Sequence, residues 1–98
     1  MQIHIFRTIR ANHPAQPGMW TMDVKREYPA VPREGDWVEL AEGWASKPVK
    51  STTYMADGSI YVELEPTKTD DPDVIAEELG LCRDHDWRWL GGKPDAPW

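Results

Sequence analysis

Cys82 and His85 stand three residues apart, and this is the spacing in the chain most suited to binding a metal ion. Thiolate sulfur and imidazole nitrogen are both zinc ligands, and Asp84 and Asp86 place carboxylates beside them. A closed zinc site needs four ligands, however, and the two other histidines stand near the N-terminus. We therefore expect no metal and no cofactor. A small metal-binding protein or enzyme that uses Cys82 and His85 is kept as an alternative.

Nucleophilic catalysis would need a cysteine or serine that is placed by a histidine and an orienting acid. The sequence contains no Gly-x-Ser-x-Gly elbow and no phosphate-binding glycine loop. Cys82 lies close to Leu79 and Leu81, which is typical of a buried free cysteine. We expect no catalytic residue and a non-enzymatic protein. A single cysteine also excludes an intramolecular disulfide, which favours a cytoplasmic location.

Acidic residues dominate the second half of the chain, and the whole protein carries a formal charge of −6. Such a surface repels phosphate backbones, so direct nucleic-acid binding is not expected. Clustered carboxylates either keep a protein soluble or steer it to a basic surface on a protein partner. Small acidic inhibitors of DNA-handling machinery, including phage-encoded ones, are similar in charge and size. The predicted binding carboxylates are Glu63, Glu65, Asp70, Asp71, Asp73, Glu77 and Glu78.

Six tryptophans are many for a chain of 98 residues. Tryptophan fills the cores of small domains, and it also anchors protein interfaces. Trp87 and Trp89 alternate along a predicted final strand, and Trp98 ends a segment rich in proline and glycine. We include these three in the predicted binding surface. The tail of residues 91–98 either folds back or presents Trp98 to another chain.

A β-hairpin centred on Asp57-Gly58 is the firmest structural prediction. Asp-Gly favours a two-residue type I′ turn, in which both central residues have positive φ. That turn would pair Tyr54 with Tyr61 across the two strands. Three aliphatic side chains would then face the interior, namely Ile60, Val62 and Leu64.

The remaining elements follow from alternation and from helix punctuation. Asp71 suits an N-cap, Pro72 the first helical position and Gly80 the residue after the helix, so we predict a helix over 72–79. Ile75 and Leu79 would dock that helix on the sheet. Further strands are predicted over 2–10, 19–28, 37–40 and 86–90.

These elements predict a single mainly β domain over residues 1–98, with a minor α component. We expect five to six short antiparallel strands that form a small curled sheet or barrel, with one short helix. The string PREGDWVEL, followed by the hairpin, resembles the pattern that leads into a strand in small SH3-like barrels. The resemblance covers about Pro32 to Glu65 and implies a fold, but no activity.

The function that the sequence favours is binding, by a small acidic inhibitor or accessory protein that engages a basic partner. No apolar run approaches the length of a membrane span, and the N-terminus lacks a signal-peptide pattern. A monomer or small homo-oligomer is expected. A structural subunit that assembles through β edges is the further alternative.

Overall fold

The computed structural model describes the backbone of residues 1–13, 16–43 and 46–93. It confirms a mainly β fold with one helix, α1 (Pro72–Asp84). The strands in the described part are β1 (Gln2–His13), β2 (Gln16–Glu27), β3 (Trp37–Glu39), β4 (Ser46–Tyr54), β5 (Ile60–Leu64), β6 (Thr67–Thr69) and β7 (Arg88–Lys93). No helix in this part of the chain is long and apolar enough to cross a membrane.

The sheet is mixed, and it is not closed into the SH3-like barrel that was one of the predicted alternatives. Its strand order is β3-β4-β5-β1-β2-β7, and β6 pairs with β1. The β3–β4, β4–β5 and β2–β7 pairs are antiparallel, whereas β5 and β6 each pair with β1 in parallel. The predicted purely antiparallel order is therefore wrong. It assumed that neighbours in sequence pair, but β1 is long enough to receive β5 along 4–6 and β6 along 9–11.

The chain divides into two compact units, one of Met1–Phe6 with Val24–Glu65 and one of Arg7–Asp23 with Pro66–Trp98. The buried apolar residues of the first unit are Ile3, Ile5, Val38, Leu40, Ala41, Val49, Ile60, Val62 and Leu64. Those of the second are Ile9, Ala11, Trp20, Met22, Ile75, Leu79, Cys82 and Trp87. The single domain expected from the length of the chain stays a prediction.

The predicted hairpin forms, but its turn is one residue longer than expected. The N–H of Gly58 donates to the carbonyl of Met55 at 3.0 Å, and the N–H of Met55 donates to the carbonyl of Ser59 at 2.8 Å. Gly58 has a φ of 90°, whereas Asp57 is not in the positive-φ region. The loop is therefore a three-residue turn with a glycine bulge, because a type I′ turn would need positive φ at Asp57 as well.

This turn shifts β4 by one residue against β5. Tyr61 pairs with Thr53, and Tyr54 pairs with Ile60. The predicted Tyr54–Tyr61 pair is therefore wrong, and the ring of Tyr61 lies 4.7 Å from that of His4 instead. The prediction for β5 itself is confirmed, since all three of its aliphatic side chains are buried: Ile60, Val62 and Leu64.

Helix α1 begins at Pro72, as predicted, but it ends at Asp84 and not at residue 79. The side chain of Asp71 accepts a hydrogen bond from the N–H of Asp73 at 2.9 Å, and Pro72 opens the first turn. The helix then runs through Gly80 to Asp84, so Gly80 does not terminate it. Its apolar face explains the extension, because Cys82 continues the buried face of the helix and outweighs the cost of about 1 kcal/mol for an internal glycine.

Two glycine substitutions should therefore change stability in opposite directions. Gly58→Ala places a side chain at a φ of 90° and should lower the free energy of unfolding by about 1–2 kcal/mol. Gly80→Ala should raise it by about 0.5–1 kcal/mol, because the new Cβ meets nothing closer than 3.9 Å. Urea denaturation of both variants measures this. A gain from Gly58→Ala, or a loss from Gly80→Ala, would contradict the assigned backbone.

Candidate functional site

The start of α1 presents a group of carboxylates to solvent. Asp70, Asp71, Asp73 and Glu77 are all exposed. Asp71 is held in place from both sides, because its backbone N–H donates to the Thr69 hydroxyl at 3.1 Å while its side chain caps the helix. None of the ion pairs that the structure describes involves any of these four residues.

Negative charge at this end of the helix is electrostatically favourable. The N-terminus of a helix carries a partial positive charge, which stabilises carboxylates in the first turn. Asp73 lies in that first turn, and burial of Ile75 and Leu79 fixes the side of the helix that stays exposed. The group of Asp70, Asp71, Asp73 and Glu77, called here the α1 acidic face, is therefore both exposed and anchored.

Two of the predicted binding carboxylates belong to the other compact unit. Glu63 lies on β5, where its side chain is 3.7 Å from the ammonium nitrogen of Lys50 and accepts from the Ser51 hydroxyl at 3.3 Å. Glu65 follows β5 and is exposed, and its backbone N–H donates to the Pro48 carbonyl at 2.9 Å. Glu63 is thus already partly neutralised within its own unit.

Glu78 does not share the exposure of the α1 acidic face. Its carboxylate forms a short ion pair with the guanidinium of Arg7, whose side chain is fully buried. Arg7 also donates to the Thr67 hydroxyl at 3.3 Å and to the Cys82 sulfur at 3.2 Å. Glu78 therefore anchors a buried charge, and its predicted role in partner binding stays a prediction.

Sequence reasoning passed over Arg7, although a signal for its burial was present. Residues 3, 5, 7 and 9 share one face of β1, and Ile3, Ile5 and Ile9 are completely buried. A charge at position 7 on that face has to find a buried counter-charge. Helix α1 supplies it through Glu78, on the same side of the helix as Leu79 and Cys82.

Cys82 and His85 do not converge on a common site. Cys82 is completely buried, whereas His85 is exposed and caps the helix through its backbone N–H, which donates to the Leu81 carbonyl at 3.1 Å. Among the described residues, no group of three or more His, Cys, Asp or Glu side chains could hold a metal ion. Burial raises the pKa of the Cys82 thiol, and the nearby Arg7 offsets only part of that rise.

The raised pKa predicts an inert thiol and a definite pH dependence. The pKa of the Cys82 thiol is higher in the folded protein than in the unfolded chain, where a cysteine has a pKa of about 8.5. The protonated thiol therefore contributes its full stability below the unfolded pKa, and this contribution is lost as the pH rises through the pKa of the folded protein. We expect the stability of the wild type to fall at alkaline pH and Cys82→Ala to flatten that fall. Thermal unfolding between neutral and alkaline pH measures it. Rapid labelling of Cys82 by a thiol reagent in the native protein would contradict it.

The tryptophans near the C-terminus fall into different environments. Trp87 is only 3% exposed, so it belongs to the core of its unit and is not exposed as was predicted, and its role in partner binding stays a prediction. Trp89 is half-buried on β7. Gly91–Lys93, predicted as tail, are the last residues of β7, and Trp98 lies outside the described residues. Arg88, between the two tryptophans, donates two hydrogen bonds to the buried carboxylate of Asp23, at 3.0 and 2.9 Å.

Comparison with protein families, with curated proteins and with solved structures finds no match to this chain.

Proposed function

We propose that this protein is a non-enzymatic binding protein, an inhibitor or accessory factor, that engages a basic surface of a protein partner. The observation that carries the proposal is the α1 acidic face, in which four exposed carboxylates have no described ion pair. Like charges that are neighbours along the chain repel one another, and a basic partner relieves that repulsion. The resulting field speeds the encounter with a cationic surface and disfavours nucleic acid as the direct ligand.

The positions of these carboxylates support recognition as well as solubility. Asp73 and Glu77 lie on a helix whose opposite side is fixed by Ile75, Leu79 and Cys82, and Asp71 caps that helix, so the spacing of these three is set before a partner arrives. A pre-organised charged surface loses less conformational entropy on binding than charges on a flexible segment. Glu78 contributes to this surface indirectly, because its bond to Arg7 ties the helix to β1.

The structural-subunit alternative has an observation of its own. Strands β3 and β7 end the strand order in the described part of the chain, and an edge strand offers unpaired backbone groups to another chain. On β7, Leu90 is also an exposed apolar side chain. A concentration-dependent dimer or filament in sizing experiments, abolished by Leu90→Lys, would favour assembly over the binding of a basic partner.

Neutralising two carboxylates tests the proposal without disturbing the helix cap. Asp70→Asn with Glu77→Gln removes two exposed charges and leaves Asp71 and Glu78 in place. In affinity capture from the native host, we expect the wild type to retain about five times as much of a basic partner as this variant, or more. The reason is that a pair of close charges across an interface contributes more than about 1 kcal/mol.

The matched control removes the same charge elsewhere. Glu34 and Glu42 are exposed residues of the other unit, and Glu34→Gln with Glu42→Gln makes the same change in net charge. Partner retention should stay within about twofold of the wild type in this control. Equal retention by both double variants and the wild type would refute a role for the α1 acidic face.

A further inference from the structure

The first compact unit carries an open groove that the α1 acidic face does not involve. Residues 29–33 belong to no strand, and two hollows flank this segment. One has a volume of about 360 Å³ and is bordered by Trp37, whereas the other has a volume of about 680 Å³ and is bordered by Tyr54. Four residues line both hollows: Pro29, Ala30, Val31 and Asp36.

The aromatic side chains at the two sides of this groove are unusually exposed. Trp37 is 70% and Tyr54 is 69% exposed, the highest values among the exposed large hydrophobic residues of the described chain. Neither ring adds much to the core of its unit. Exposed tryptophan and tyrosine side chains beside a hollow are typical of surfaces that bind another chain, and the hollow beside Trp37 is lined mainly by apolar residues.

The charge beside Trp37 favours a cation, because Asp36 borders both hollows whereas the cationic Arg33 borders only the hollow beside Tyr54. Asp36 accepts a hydrogen bond from the backbone N–H of Arg33 at 2.8 Å, but no described ion pair neutralises its carboxylate. A guanidinium group suits this setting best, because it stacks on aromatic rings and pairs with a carboxylate at the same time.

The backbone of the groove suits an extended ligand. No hydrogen bond within the described part of the chain uses the N–H or C=O groups of Ala30 or Val31. The backbone bends at Pro29 and Ala30, Pro29 and Pro32 lack an N–H of their own, and Thr52 fixes the segment by donating to the Pro32 carbonyl at 2.7 Å. These unused backbone groups can form hydrogen bonds with the backbone of an extended peptide.

We propose that this groove, formed by residues 29–33 with Asp36, Trp37 and Tyr54, binds an extended peptide segment of a partner protein that carries an arginine beside apolar residues. The arginine lies against Trp37 and pairs with Asp36, in the hollow that Arg33 does not border, and the apolar residues lie along Pro29, Ala30 and Val31. This contact goes beyond the α1 acidic face and does not require it.

Selection of a random peptide library displayed on phage against the full chain tests this site. We expect the enriched peptides to carry arginine next to apolar residues. A resynthesised peptide should bind at least tenfold more weakly to Trp37→Ala, as for an aromatic hot spot, and several-fold more weakly to Asp36→Asn. The amide oxygen introduced by Asp36→Asn can still accept from the Arg33 N–H, so this substitution removes only the charge.

Two controls distinguish peptide binding in the groove from non-specific attraction of a cationic peptide to an acidic protein. Leu90→Ala changes an exposed apolar side chain of the other unit, and Asp70→Asn with Glu77→Gln weakens the α1 acidic face. Peptide affinity should be unchanged in both. Enriched peptides without a cation, equal binding to Trp37→Ala, or no enrichment would overturn the inference. So would a dimer that Trp37→Ala dissociates, since the groove would then hold a second copy of the chain.

Discussion

Replacing Glu78 with alanine should lower the free energy of unfolding by about 3 kcal/mol, because it removes the carboxylate that pairs with the buried guanidinium of Arg7. Breaking one side of a buried ion pair costs roughly 3–5 kcal/mol. We expect the lower end of that range, since the side chain of Glu78 is 20% exposed and water can reach the gap. Thr67 and Cys82 remain as partners of Arg7, but neither supplies a negative charge while the thiol is protonated.

Glu77 provides the matched control for this substitution. It is the adjacent helical residue, it carries the same charge, and it is exposed without a described ion pair. Glu77→Ala should change stability by less than about 0.5 kcal/mol. Chemical denaturation of the two variants under identical conditions measures the difference. Similar values for Glu78→Ala and Glu77→Ala would mean that the Arg7–Glu78 pair does not anchor α1.

Replacing Trp87 with alanine should cost about 3–4 kcal/mol and is the second large effect we expect. Trp87 is 3% exposed, and a buried tryptophan that is truncated to alanine loses its transfer free energy and leaves a cavity. Its backbone N–H donates to the Cys82 carbonyl at 3.0 Å, which fixes the chain as it leaves α1. The variant should therefore lose stability without losing that backbone hydrogen bond.

Trp37 is the matched control for Trp87. The same change at a residue that is 70% exposed should cost less than about 0.5–1 kcal/mol. Because the substitution is the same at both positions, a difference in stability loss reports the burial of the side chain and not the type of residue. Thermal and urea unfolding of both variants give the comparison, and a larger loss for Trp37→Ala than for Trp87→Ala would show that the burial of these two residues is misassigned.

The local features of this fold were predictable because short-range chemistry determines them. Alternation along residues 60–64 predicted the buried face of β5, and Asp71-Pro72 predicted the start of α1. The hairpin register was not predictable from Asp-Gly alone, since this pair also suits a glycine bulge. Parallel pairing of β5 and β6 with β1 depends on contacts between distant parts of the chain, which local patterns do not encode.

In the candidate site, too, some features were predictable from the sequence and others depend on tertiary contacts. Composition identified the carboxylates that form the α1 acidic face, because exposure is the usual state of such residues. It could not distinguish Glu78 from Glu77, since only the position of Arg7 in β1 decides which carboxylate turns inward. The exposure of Trp37 and the burial of Trp87 also depend on tertiary packing and not on residue type.

The salt dependence of the affinity for the captured partner tests the central proposal most directly. If the α1 acidic face drives recognition, the dissociation constant of the wild type should rise steeply between low and moderate salt, because ionic screening weakens exposed charge pairs. The dependence should be shallower for Asp70→Asn with Glu77→Gln and unchanged for Glu34→Gln with Glu42→Gln. An affinity that does not vary with salt, or the same dependence in all three proteins, would contradict the proposal.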